Sequence, residues 1–248
     1  MAVDEGIQPN QGRAMDAKQL HQRLRGLGDP AIAEHSQRFF KTAKGEYAEG
    51  DRFLGIRVPV LRQQAGEYLH MPIKQLLRSL RSVYHEERLC AVLIMVLKYQ
   101  RGSDVEREAI FQHYLSNTQY INNWDLVDSS AYHILGPHLE YGDRHLLYRL
   151  ARSDSIWERR MAIISTLYFI KKQQYEDTLK ISLELLSDPH DLIHKAVGWM
   201  LREVGNRDLN AEQTFLARHY QKMPRTMLRY AIEKFPEKQR KAYLQGRV

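Results

Sequence analysis

From Asp16 onward, apolar residues recur three and four positions apart along almost the whole chain, the spacing that lines one face of a helix. No stretch shows the strict alternation of a half-buried strand. The pattern predicts helices near residues 16–26, 30–43, 58–69, 72–82, 85–101, 104–116, 122–135, 143–152, 156–172, 175–187, 190–205, 208–221 and 224–235. Punctuation agrees with this reading. Asp29-Pro30, Met71-Pro72, Asp188-Pro189 and Met223-Pro224 mark helix starts, because proline lacks only an amide that the first turn leaves unbonded. Gly136-Pro137 reads as a stop followed by a new start, and Ser103 and Ser153 to Ser155 offer N-caps. The connections are short, as between antiparallel helices. Lys41 to Pro59 is the one long irregular insert, and it has no phosphate-loop pattern. Residues 1–15 read as a flexible tail and 16–248 as a single domain of helical repeats.

A weak repeat supports that reading. Arg88, Trp124, Arg160, Lys195 and Arg229 open comparable helical runs, at steps of 36, 36, 35 and 34 residues. Helix pairs at such a period predict an all-α superhelix, a solenoid in which each repeat buries its apolar face against its neighbours. Irregular helical packing is the alternative.

Within this pattern the stretch from Ile121 to Leu135 stands out. At roughly 100° per residue, Trp124, Val127, Ala131, Ile134 and Leu135 form one apolar arc, and Asp128 falls inside it. A carboxylate there must find a partner, raise its pKa or face a cavity. The plain reading is a paired structural acid, or a first-turn residue favoured by the helix dipole. In the helix from Ile156, Arg160 projects into the apolar arc while Arg159 points the other way. Such a guanidinium is either buried with an acid or reaching into an open groove. Trp199 sits at the edge of the core side of its helix, between Lys195 and Arg202, as either a large core residue or an indole at a groove margin.

Charge narrows the partners. The 248-residue chain carries a net +7 with 43% hydrophobic residues, and its pI is about 9.4. That excess argues for a polyanion, nucleic acid or membrane surface. One cysteine, Cys90, excludes an internal disulfide, a Cys-based zinc finger and a four-cysteine iron–sulfur cluster. His190 and His194 have ligand spacing but no accompanying HExxH glutamate. Glu86, Glu87 and Arg88 read as a solvated helix start, and the run PEKQRK from Pro236 as a solvated end. No stretch reaches membrane-span length and the N-terminus lacks the apolar region of a secretory signal, so a cytoplasmic monomer is expected.

The segments NNWDLVDS, IWERRMAI and KAVGWMLRE, in this order, resemble the AlkD-type DNA alkylation repair glycosylases. RFFKTAKGEYAEGDRFLGIRVP, from Arg38, is similar to that family's N-terminal signature. The resemblance implies HEAT-like repeats gripping duplex DNA in a concave basic groove. It also implies excision of positively charged N3- or N7-alkylated purines without metal or cofactor. Matched position by position, it implies Trp124, Asp128 and Trp199 as catalytic residues and Arg160 as a DNA contact; the neighbouring Lys195 and Arg202 are expected, by their charge, to hold phosphates beside it. Asn123 stands where some members carry a second tryptophan, and Phe39 where an N-terminal aromatic is otherwise tyrosine.

The residue types suit that chemistry. A cationic base departs neutral without a general acid, so one carboxylate can both stabilise the oxocarbenium-like sugar and place water. Indole faces attract the developing charge. Two other classes compete: a HEAT-repeat protein that binds distorted or branched DNA without cutting it, and a protein-interaction scaffold.

Overall fold

The computed structural model describes residues 15–248, so the predicted tail lies almost wholly outside the described residues. The all-α expectation holds: among the described residues there is no β-strand, only an isolated bridge between Arg52 and Tyr84. Two compact units are present, residues 1–94 and 95–248.

The first unit contains α1 (Ala17–Arg25), α2 (Pro30–Phe39), α3 (Val58–Glu67), α4 (Ile73–Leu80) and the opening turns of α5 (His85–Arg101). Asp16 caps α1, accepting the amide of Gln19, and Asp29 caps α2, accepting those of Ala31 and Ile32. Glu86, Glu87 and Arg88 correct the solvated reading, since all three are buried. Glu86 accepts the amides of Leu54, Gly55 and Ile56, which ties down the end of the irregular insert. Glu87 pairs with Arg25 at 3.1 Å, and Arg88 with Asp51 at 2.6 Å. Buried charges persist here because each has a bonded counterpart.

The second unit holds the rest of α5, then α6 (Asp104–Leu115), α7 (Trp124–Asp128), α8 (Ala131–His138), α9 (His145–Ala151), α10 (Ile156–Ser165) and α11 (Leu167–Ile170). It continues with α12 (Glu176–Glu184), α13 (Asp191–Gly205), α14 (Leu209–His219), α15 (Arg225–Ala231) and α16 (Glu237–Leu244). Ser103 and Glu106 form a capping box at the start of α6. The core runs along α10 and α13, where Met161, Ile163, Ile164, Ile193, Val197 and Met200 are fully buried. Helix α13 packs on α10, α14 and α15, and α10 on α7, α8 and α9. The run from Pro236 is solvated as expected, its residues to Lys241 lying at the surface, and it opens α16, which the buried ring of Tyr243 anchors.

Ion pairs link segments about thirty residues apart along the second unit. Glu140–Lys172, Arg144–Asp177, Arg152–Glu184, Arg159–Asp188 and Arg202–Glu233 join residues 29 to 33 positions apart.

The expected helix 30–43 ends at Phe39 and the expected helix 156–172 is broken at Thr166, between α10 and α11, and two further boundaries fail near Asp128. The expected helix 122–135 is broken after Asp128, with Ser129 and Ser130 between α7 and α8. Ser130 Oγ bonds the Leu126 carbonyl at 2.7 Å and the Tyr114 hydroxyl at 2.8 Å, and such back-bonding bends a helix. Gly136-Pro137 does not stop the chain, because α8 runs through it. Gly136 serves packing instead: a Cβ there would lie 2.4 Å from Cβ of Tyr168.

Candidate functional site

Asn123 is buried and its side-chain oxygen accepts the amide of Trp124 at 2.8 Å, which fixes the start of α7. Leu126 and Val127 enter the core, leaving Trp124 half-buried at one end of this short helix and Asp128 at the other. The break at Ser129 and Ser130 ends α7 at the carboxylate.

Arg160 faces Asp128 from α10. Its Nε donates to Oδ1 at 2.8 Å and its Nη2 to Oδ2 at 2.7 Å, a two-point clasp. Nη1 donates to the carbonyl of Leu192 on α13 at 2.5 Å. One buried guanidinium thus ties α7, α10 and α13 together around the carboxylate. Of the two open readings of Arg160, the structure places the acid partner. Asp128 in turn keeps 17% side-chain exposure against 6% for Arg160, so the carboxylate is the member of the pair nearer solvent. Burial pushes the Asp128 pKa above the ordinary carboxylate value, while Arg160 pulls against it. With an N–H donated to each oxygen, the bonded form is the carboxylate, and each oxygen retains a second lone pair.

The other predicted residues lie on α13. Lys195 bonds Asp191 one turn away at 2.9 Å, and Arg202 bonds Glu233 beyond α15. Trp199 is half-buried and its indole N–H donates to Glu203 at 3.3 Å, leaving the ring fixed at one edge. Leu192 and Trp199 are seven residues apart, about 10 Å along the helix axis. The structure therefore joins Asp128 to Arg160, with Trp124 one turn before Asp128 on α7, and ties Lys195, Trp199 and Arg202 to the pair through α13. Phe39 belongs to the first unit, 58% exposed and edge-on to Phe40.

Sequence reasoning noted Asn123 only as a departure, not as the cap of α7. Asn ahead of Trp-Asp carries an N-cap signal that could have shown it. The Ser130–Tyr114 bond that ends α7 had no local signal. Among the described residues no group of three His, Cys, Asp or Glu side chains converges as metal ligands would. His190 and His194 are used locally, on the Leu192 amide and the Asp188 carbonyl. No helix of the described residues is long and apolar enough to cross a membrane.

Comparison with known proteins bears on this arrangement. Residues 20–235 match a family described as DNA alkylation repair enzyme. A predicted DNA alkylation repair enzyme from Enterococcus faecalis shares the fold with a TM-score of 0.64 at 17% identity, covering 85% of this chain and 97% of that one. No curated protein sequence matches the chain.

Proposed function

The chain belongs to the DNA alkylation repair enzyme family, and from that premise we propose that it is a DNA glycosylase acting on duplex DNA. It hydrolyses the N-glycosidic bond of purines made cationic by alkylation at N3 or N7, as a monomer and without metal or cofactor. The observation that carries the reading is the clasped, partly exposed carboxylate of Asp128 beside Trp124.

Alkylation at N3 or N7 already places positive charge on the base, so the leaving group needs no proton. The sugar is what needs help, as positive charge grows at C1′ when the bond stretches. A fixed carboxylate near that charge lowers the barrier, and its spare lone pairs can orient the attacking water. Arg160 prepares Asp128 for this in two ways. It fixes the carboxylate orientation through two bonds, and it favours the charged form against the pull of burial. The pair as a unit is neutral, so a polyanion can approach more closely than it could approach a lone carboxylate. Arg160 is thus assigned as a positioning residue, in place of the direct phosphate contact expected from sequence. The indole faces of Trp124 and Trp199 add attraction for the developing cation, roughly 0.5–2 kcal/mol for each contact made.

One observation favours a second reading. Both oxygens of Asp128 are already bonded, as in a structural ion pair, which suits a protein that binds damaged DNA without cutting it. Incubating the protein with methylated duplex DNA and separating free bases by chromatography decides between the two. Free 3-methyladenine or 7-methylguanine with matching abasic sites supports the glycosylase, and intact DNA held in a stable complex supports the binder.

A further inference from the structure

The cations assigned to DNA on α13 are already neutralised. At 100° per residue, Lys195, Trp199 and Arg202 point within roughly 60° of one another, which defines the outward face of the helix. Yet Lys195 is bonded to Asp191 and Arg202 to Glu233. A phosphate reaching either must compete with a carboxylate already in place.

Helix α15 is set against α13 with little freedom. A Cβ on Gly198 would fall 2.4 Å from the Met227 carbonyl oxygen and 2.5 Å from Cβ of Tyr230. Met227, Leu228 and Ala231 are buried, so the opposite side of α15 faces outward, and Arg229 and Tyr230 are exposed there. Arg229 follows Lys195 by 34 residues, the last step of the sequence repeat, and so takes the position in its repeat that Lys195 takes in the one before. Among the described residues no carboxylate lies within salt-bridge distance of Arg229. Glu233, one turn away and the natural partner by spacing, is turned to Arg202 instead.

We propose that Arg229, on the helix α15 packed against the helix of Trp199, contacts a DNA backbone phosphate. The contact deepens the DNA-repair reading above and rests on it for the identity of the polyanion. Gly198 and Tyr230 set the register that holds Arg229 in place. The free guanidinium presents its full charge and a two-point donor fork to a phosphate, which the paired Lys195 and Arg202 do not.

The test is fluorescence anisotropy of an unmodified duplex against native protein, Arg229→Gln and Arg229→Lys over a range of salt, with thermal melts of all three. Removing one phosphate contact should flatten the slope of log affinity against log salt by about 0.9, so the advantage of native over Arg229→Gln shrinks about 3.5-fold for a fourfold rise in salt. Arg229→Lys should keep the native slope. A native slope in Arg229→Gln overturns the proposal. So does equal loss in both variants with lowered melting, which marks a structural role. Base release assayed in parallel separates the two claims. Release with an unchanged Arg229→Gln slope sinks only the phosphate contact, and a flattened slope without release sinks only the glycosylase.

Discussion

If Arg160 holds Asp128 as the geometry indicates, the two residues must be energetically coupled. The perturbations are Arg160→Met, which keeps the stem and removes the charge, Asp128→Asn, and the pair together. Arg160 is 5% exposed and spends three N–H groups, two on Asp128 and one on the Leu192 carbonyl. Arg160→Met strands a buried carboxylate, at a cost of about 3–5 kcal/mol. Asp128→Asn strands the more deeply buried guanidinium and sets an amide NH2 against one of its donors, at a comparable cost of about 3–5 kcal/mol. Because the double variant strands no carboxylate, it should be no less stable than Arg160→Met alone. Urea unfolding followed by circular dichroism measures all four proteins, and equal m-values confirm that the unfolded states compare. The costs should change little with salt, since a buried pair is weakly screened. Single costs that add to within about 0.5 kcal/mol would refute the coupling and with it the positioning role of Arg160.

Other expectations follow from the same geometry. Burial raises the Asp128 pKa above its ordinary 3.8, so base release should fall on the acid side with a midpoint above that value, and a profile flat to pH 4 would contradict it. Arg160 lowers that pKa, so an Arg160→Lys enzyme with weaker geometry should show the acid limb moved upward. Gly198→Ala should lower stability by roughly 1–3 kcal/mol in thermal melts, because the new methyl meets the Met227 carbonyl, which cannot rotate away. Glu212 is 2% exposed and burial pushes its pKa up to about 8, against the pull of Arg202. The fold binds that proton more tightly than the unfolded chain does, so its contribution is full below pH 4.5 and is lost as pH rises through about 8. Glu212→Gln should therefore leave melting at pH 5 nearly unchanged and raise it at pH 9, and equal effects at both would refute the assignment.

The sequence carried the helices well wherever a cap or proline marked the start, as at Asp29-Pro30 and Ser103. It carried the site residues as types and spacing, and placed Trp124 and Asp128 on one helix. What it hid were effects of distance. Glu86 and Glu87 look solvated locally, yet the Glu86 partners are 30 to 32 residues away and Arg25, the cation paired with Glu87, is 62 away. Gly136 resembles a helix stop until Tyr168 is seen against it. Arg160 posed a fair choice between buried partner and open groove, and only the Leu192 carbonyl and both oxygens of Asp128, each 32 residues away, decide it. Periodicity finds which face is buried; it cannot say which charge another charge will find.

The central claim is that the clasped carboxylate performs hydrolysis. The direct measurement is release of 7-methylguanine from a defined duplex by native protein and by Asp128→Asn, with duplex affinity measured alongside. The account predicts release by the native protein, a rate lower by roughly 10²–10³ in Asp128→Asn, and affinity unchanged or improved. Equal release by both proteins, or none by either while both bind DNA tightly, would contradict it.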